Sequence, residues 1–344
     1  MLSKESTASG RINVLYASDG AFAAPLLASV RSLVSNATAP LDVYIVGEGL
    51  SLEVCDAVSE LVEKRGHRVR WIAAPDYRGM LGFAPDVRNY SAAMFSRFCL
   101  ESLLPESVQR VIYLDCDTIV AGDIVELWTW PLCGKTVGAV NDYRSCGYAR
   151  NLGITVIPYV NSGVLLVDVA RYRQLHCEQR LFSALQACDG LLEFPDNDLL
   201  CMVLQHEIAL LPVRFNVHSV VAATKSFDEL CFLRAPQKPG LREEYEKARK
   251  SPVIVHFTRC FLVTGRPWYD FCDHPLREYY DAHALPAGEC AAANAAPAAC
   301  KSAAHVVAGM LPRWAVLLAA RVVHAYLKPL CQGAVLRVKG GVHE

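Results

Sequence analysis

Between residues 12 and 114 short apolar runs alternate with helical patterns, and this alternation leaves the chain few folds to choose from. Ile12–Ala17, Leu41–Val46 and Arg68–Ala73 are of strand length and carry β-branched and aromatic residues. After the first run, Ala24, Leu27, Val30, Leu33 and Val34 recur at roughly helical spacing, with Pro25 tolerated in the first turn. After the second, Ser51–Arg65 reads as a helix with Ser51 as N-cap and Gly66 at its end. A long Gly-, Pro- and Asp-rich loop, Pro75–Asn89, follows the third, and loops of that length often carry function. Helix Ala92–Leu104 comes next, stopped by Pro105. Repeated strand–helix units predict an α/β fold with a mainly parallel sheet covered on both faces. Such sheets bind their ligands beyond the carboxyl ends of the strands.

The fourth strand, Val111–Leu114, runs directly into Asp115 and Asp117. Two carboxylates at the end of a core strand repel each other and lose hydration, so a positive partner is required. A divalent cation with oxygen ligands meets that need, and capping of the next element by Asp is the plainer alternative. Ile119 and Val120 lead to an Ala121-Gly122-Asp123 turn. Asp19 ends the first strand and is expected to face the same crevice. No Gly-x-Gly-x-x-Gly follows that strand and no P-loop occurs, which removes two nucleotide-binding fingerprints. A net charge of −1 offers no basic field for nucleic acid. The polar residues Met1–Gly10 contain no apolar signal segment, and the scattered cysteines form no Cys-x-x-Cys pair. We read them as reduced thiols in a cytoplasmic protein.

Past the acidic pair the alternation is less regular. Thr136–Val140 is a strand ending in Asn141-Asp142, and Asn161-Ser162-Gly163 precedes a run at Val164–Val167. Helices are expected over Val169–Ala187, from Phe194 through Gln205, and over Leu241–Lys250. Asp196 and Asp198 sit at the positive end of the second of these. Strand Val253–Phe257 carries His256, a third candidate for the metal, for which a hydrogen-bonded core histidine is the alternative.

Five ordered motifs then resemble the family 8 retaining glycosyltransferases, which include bacterial lipopolysaccharide galactosyl- and glucosyltransferases. They are Tyr16-Ala-Ser-Asp19, Arg110-Val-Ile-Tyr-Leu-Asp-Cys-Asp117, Tyr159-Val-Asn-Ser-Gly-Val-Leu-Leu166, Pro195-Asp-Asn-Asp198, and His256-Phe257 with Arg266-Pro-Trp268. The resemblance implies a GT-A-type nucleotide-diphosphate-sugar fold and transfer of galactose or glucose from a UDP-sugar to a saccharide acceptor. It implies Asp115, Asp117 and His256 as ligands of Mn²⁺ (or Mg²⁺), a mixed donor set that suits manganese better than calcium. It also implies that Asp19 meets the uracil, that Arg97, Asp142 and Asn161 hold the donor sugar, and that Asp196 is a sugar-binding carboxylate. Ala17, Asp115, Cys116, Ser162 and Gly265 complete the implied donor site.

The chain departs from the family pattern in two places. Asn197 stands where many members have glutamine, which keeps the amide beside the reacting carbon but shortens it. Arg259 and Cys260–Val263 displace a glycine commonly found just after the metal histidine, so the grip on the diphosphate falls to Arg266. A neutral amide is a poor nucleophile, which favours attack from the face that the diphosphate leaves, with Asp196 as nucleophile the alternative.

Residues 1–285 are expected to form the catalytic domain and 286–344 an appendage. That appendage opens Ala-rich (Ala287–Ala299) and continues with Lys301, Arg313, Arg321, Lys328, Arg337 and Lys339 around Trp314 and Tyr326. Its uninterrupted apolar run, Trp314–Ala320, is too short by itself to span a bilayer. Two readings stand: an interfacial segment on anionic lipid at the inner face of the cytoplasmic membrane, where a lipid-linked acceptor would be met, or a helix packed on the domain. Asp115–Val120 also resembles the nucleophile loop of haloacid-dehalogenase-type phosphatases, and a catalytically inactive nucleotide-sugar-binding module is a further alternative.

Overall fold

A computed structural model describes residues 10–81, 91–188, 192–234, 241–269, 271–285 and 310–338, without the side chains at 81 and 335–338. Its strands are β1 (Ile12–Asp19), β2 (Leu41–Glu48), β3 (Arg68–Ala73), β4 (Arg110–Leu114), β5 (Thr118–Val120), β6 (Val137–Asn141), β7 (Val160–Asp168), β8 (Ile208–Leu210), β9 (Val217–His218) and β10 (Ile254–His256). Seven of them form one sheet in the order β3-β2-β1-β4-β7-β6-β8. β3, β2, β1 and β4 are parallel neighbours, whereas β7 runs antiparallel to both β4 and β6. The sheet is thus parallel where strands and helices alternate and mixed where that alternation lapses.

Both faces are buried over the central strands, as the sequence predicts, whereas the edge strand β3 stays largely exposed. On β1, Val14 and Tyr16 enter the core cluster under α1 (Ala23–Asn36) and α2 (Leu52–Glu63), while Leu15 enters a second cluster with Phe95 and Tyr113. Ser51 caps α2 by accepting from Val54 N, and Gly66 takes the left-handed conformation after it. Strand order reverses between β1 and β4, since β2 lies on one side of β1 and β4 on the other. This switch point is where an open α/β sheet leaves a crevice.

A second sheet, β5-β10-β9, sets the other half of that crevice. Ile119 and Val120, expected to lead into a turn, instead belong to β5, which pairs antiparallel with β10 and sets His256 opposite Thr118. Three residues of strand are too few to show a period, so the pairing left no mark in the sequence.

Two expected helices are broken. Ala92–Leu104 is a 3₁₀ stretch, Ala92–Phe98, followed by a short helix, Leu100–Leu103. Val169–Ala187 divides into Val169–Gln174 and Cys177–Ala187 at His176, whose φ is 49°. Tyr172 and Leu181 are buried on either side of the break, so the apolar spacing does not register it. Within Pro75–Asn89, Tyr77–Leu81 is a short helix, and residues 82–89 lie outside the described residues.

The appendage is helical from Arg313, with a wider π turn at Val322–Leu327 and a last stretch, Lys328–Val338. The Ala-rich segment, Lys301 and Lys339 lie outside the described residues. By length and composition Arg313–Ala334 is the one helix among the described residues able to cross a membrane. Its inner side is nevertheless joined to the domain. Leu317 and Ala320 enter the main core cluster, Arg313 pairs with Glu229 at 2.6 Å, and Lys328 pairs with Glu193 at 2.6 Å. Its outer side is apolar and exposed, with Trp314 68% and Leu330 65% accessible.

Ile119 is fully buried in a small cluster with Val255 and Phe257 that ties β5 to β10. Ile119→Ala is expected to destabilise the protein by about 3 kcal/mol, the usual scale for such a truncation. A lowered urea midpoint at unchanged slope is the measurement.

Candidate active site

Asp115, Asp117 and His256 come together with ligand atoms within 4.8 Å of one another. Asp115 and Asp117 are delivered by the chain leaving β4, and His256 by the pairing of β10 with β5. Phe257 N bonds Asp117 O at 2.9 Å, fixing the two segments at that point. His256 Nε2 lies 3.0 Å from Asp117 Oδ1 and 3.7 Å from Asp115 Oδ2. Gly163 of β7 makes the room: a Cβ there would meet His256 Cε1 at 2.2 Å and Asp115 Oδ2 at 2.6 Å.

A hydrogen-bond chain decides which way the imidazole faces. Asn161 Oδ1 accepts from Gly163 N (3.0 Å) and from Asn216 Nδ2 (2.8 Å). Asn216 Oδ1 is thereby turned toward His256 Nδ1, 3.0 Å away, which must donate to it. Nε2 is left aimed at two carboxylates. Three lone-pair atoms then converge, an arrangement that a proton or a divalent cation must bridge. Two carboxylates and an imidazole fit Mn²⁺ or Mg²⁺.

The remaining charge is compensated by two arginines. Arg97, 4% exposed, reaches Asp115 Oδ1 (2.8 Å), Asp196 Oδ2 (3.0 Å) and Ser162 Oγ (2.6 Å). Ser162 Oγ in turn donates to Asp196 Oδ2 at 2.7 Å, and Ser162 N donates to Asn197 Oδ1 at 2.6 Å. The NH₂ end of Asn197 is thus left for the cavity. Arg266 Nη1 meets Asp117 Oδ2 at 3.1 Å. Beside it Gly265 has φ 73° and no room for a Cβ, which would lie 1.9 Å from Phe271 O. Burial pushes the Asp115 carboxyl up against the pull of Arg97, and Asp117 adds to the rise. Burial acts likewise on Asp117, but His256, when its Nε2 carries the bridging proton, and Arg266 outweigh it and hold that carboxyl at about 2. One carboxylate is firmly ionised while the other is poised to gain from a bound cation.

All the donor, metal and catalytic residues that the resemblance implied line one cavity of about 670 Å³ at the switch point. Asp19 is there as the cap of the turn after β1, accepting from Ala21 N at 3.0 Å and Phe22 N at 3.2 Å. The Cys116 thiol donates to Ala17 O at 3.0 Å, and Asp142 pairs with Arg144 at 2.9 Å. Sequence reasoning missed Asn216 and His218, which follow a 3₁₀ turn with no periodic pattern. His218 is buried and held near 4, hence neutral, with Nε2 3.2 Å from Asn141 O. It also missed Arg144, Arg234 and His324, and it read Lys328 as a lipid contact; all four line the cavity. Lone charged residues in helices and loops carry no spacing signal that could have singled them out.

The family model described as "Glycosyl transferase family 8" matches residues 13–272. The chain is 24% identical over 275 residues to General stress protein A of Bacillus subtilis (strain 168), a match covering 78% of this chain and 91% of that one. It is 23% identical over 275 residues to Lipopolysaccharide 1,2-glucosyltransferase of Escherichia coli (strain K12), covering 78% and 76%. Among solved structures, the galactosyltransferase LgtC in complex with donor and acceptor sugar analogues superposes with a TM-score of 0.66 at 20% identity. That superposition covers 80% of this chain and 98% of LgtC, and it shows a shared GT-A fold.

Asn216→Leu removes the acceptor that orients His256 and is expected to weaken Mn²⁺ binding ten- to a hundredfold, the usual cost of losing a ligand's outer partner. Calorimetric titration with Mn²⁺ measures it, and Gly163→Ala is expected to act in the same direction by displacing the ring.

Proposed function

The chain belongs to glycosyl transferase family 8, and from that premise we propose that it moves a hexose from a UDP-sugar to a saccharide acceptor with retention of configuration. The observation that carries this reading is the convergence of two carboxylates and an oriented imidazole beside a sugar-sized cavity. Family membership leaves no place for the phosphatase alternative.

When bound, Mn²⁺ or Mg²⁺ supplies charge neutralisation at the diphosphate as its bond to the sugar breaks. Asp115, Asp117 and His256 would hold it. Asp19 and Ala17 lie at the end of β1 where the uracil is received. Arg266, whose Nε is buried without a partner, is the cation aimed at the departing diphosphate. Asp196 already accepts from Arg97 and Ser162, which argues against its use as a nucleophile. The acceptor oxygen therefore attacks C1 from the face that the diphosphate leaves, and its proton passes to a diphosphate oxygen. Asn197 steadies the sugar with its amide, and Asp142 and Asn161 belong to the same pocket wall.

The acceptor we propose is a lipopolysaccharide or another cell-surface glycan, met at the cytoplasmic face of a membrane. The support for membrane contact differs from what the sequence led us to expect. Arg313, Arg321 and Lys328 are engaged with the domain through Glu229, Phe232 O and Glu193, so they are not free to meet lipid headgroups. The outward apolar side, with Trp314, Leu318 and Leu330, is the part suited to an interface.

Mn²⁺-dependent release of UDP from a panel of UDP-hexoses tests the transferase reading. Asp117→Asn is expected to abolish Mn²⁺-dependent UDP binding with the fold intact, and proton NMR of fresh product is expected to show an α linkage. UDP binding that ignores a chelator, or a β product, would overturn it; binding without turnover would identify an inactive module.

For the appended helix, replacing Trp314, Leu318 and Leu330 together by serine is expected to abolish sedimentation with anionic vesicles while UDP affinity holds. Because the proposed attraction is apolar, raising the salt is expected to leave the wild-type binding largely intact.

A further inference from the structure

The cavity continues past Asp142 to a group of cations that the transferase chemistry leaves unused. Arg144, Arg234 and Lys328 all line it. Arg144 and Lys328 lie over the ring of Phe194, at 4.2 and 5.6 Å from its centroid. Each of these two has a carboxylate: Arg144 pairs with Asp142 at 2.9 Å and Lys328 with Glu193 at 2.6 Å.

Arg234 has none. It ends helix Phe227–Arg234, is only 9% exposed, and presents Nε and Nη1 buried without a hydrogen bond. Among the described residues it forms no ion pair. The helix carbonyl end favours a cation, but the field there is weak beside the hydration that a buried guanidinium gives up. Burial and the neighbouring Arg144 both work against its charge, and Asp142 opposes them only in part. Arg144 keeps a buried Nε without a partner in the same region.

The appended helix completes the wall. His324 lies against Phe261 at 5.2 Å, and its Nδ1 is likewise buried and unpaired. Burial, with Arg234 and Lys328, holds it near 3, so it offers a polar ring and adds no charge. Of the three cations only Arg234 lacks an ion-paired carboxylate, and its guanidinium is a planar fork of donors left open. A guanidinium so placed matches a carboxylate or phosphate, which it can take in two parallel hydrogen bonds.

We propose that Arg234, with Arg144, His324 and Lys328, forms an anion subsite that receives a carboxylate or phosphate borne by the sugar substrate. The assignment rests on the transferase reading and adds the charge class of the substrate to it. Asp142, expected at the donor sugar, is bonded to Arg144, so the subsite adjoins the sugar end of the cavity. The anion belongs either to the donor as a uronate or to the acceptor as an acidic or phosphorylated saccharide.

Calorimetry on the full chain with Mn²⁺ at fixed ionic strength separates these sources. One arm compares UDP-glucuronate with UDP-glucose; the other, with UDP bound, compares glucose 6-phosphate with glucose. At least tenfold tighter binding of the charged partner in one arm is expected, and the arm identifies the source. Arg234→Met is expected to reduce that preference below twofold while UDP affinity holds, and Arg234→Lys to restore part of it. Should Arg234→Met not fold, Lys328→Met is expected to reduce the preference at least threefold. Equal binding of charged and neutral partners in both arms, or a preference that survives these substitutions, would overturn the subsite. A chain that binds no UDP yet prefers glucose 6-phosphate without it would lose the transferase reading and keep the subsite.

Discussion

Asp115 and Asp117 stand one residue apart at the end of a buried strand, and their mutual repulsion shapes what surrounds them. Arg97 meets one at 2.8 Å and Arg266 the other at 3.1 Å, from segments far apart in the chain. His256 turns its Nε2 to both. None of these groups is free to move alone, because each is bonded again behind: Arg97 to Met94 O, His256 to Asn216, Arg266 stacked over Trp268. Preorganised charge of this kind is what a transferase needs where a diphosphate departs, since no dipole has to turn during the reaction.

Much of the fold could be read from the chain because its first hundred residues obey simple periodicities. Strands β1 to β4 were legible in position and direction, and the crevice followed from their carboxyl ends. The site residues were legible for a different reason: Asp115-Cys-Asp117 and Asn161-Ser-Gly163 are local motifs, and local motifs survive without knowledge of contacts. Gly163 shows the limit of that. Its place in the motif was visible, but the reason for it, the closeness of His256, depends on a pairing between segments 139 residues apart in which Asp117 and His256 meet.

What stayed hidden depends on tertiary placement. Asn216 orients the His256 imidazole toward the two carboxylates from a segment with neither period nor motif. Arg234 looks like any helix-ending arginine until its burial is seen. The appended helix was legible as amphipathic, but its basic residues suggested lipid, whereas Arg313 and Lys328 pair with Glu229 and Glu193 of the domain. Composition reports that charges are present and is silent on what they face.

The shared grip of Arg97 has a further consequence. One guanidinium bridges Asp115, at the end of β4, and Asp196, from a segment some eighty residues further on. A cation that took up the charge of Asp115 would weaken its hold on Arg97 and let the guanidinium strengthen its bond to Asp196. Occupancies at the two carboxylates are therefore thermodynamically linked, and the linkage is reciprocal by necessity. Ligands that engaged the two carboxylates would each alter the other's affinity by the same factor, through a single side chain.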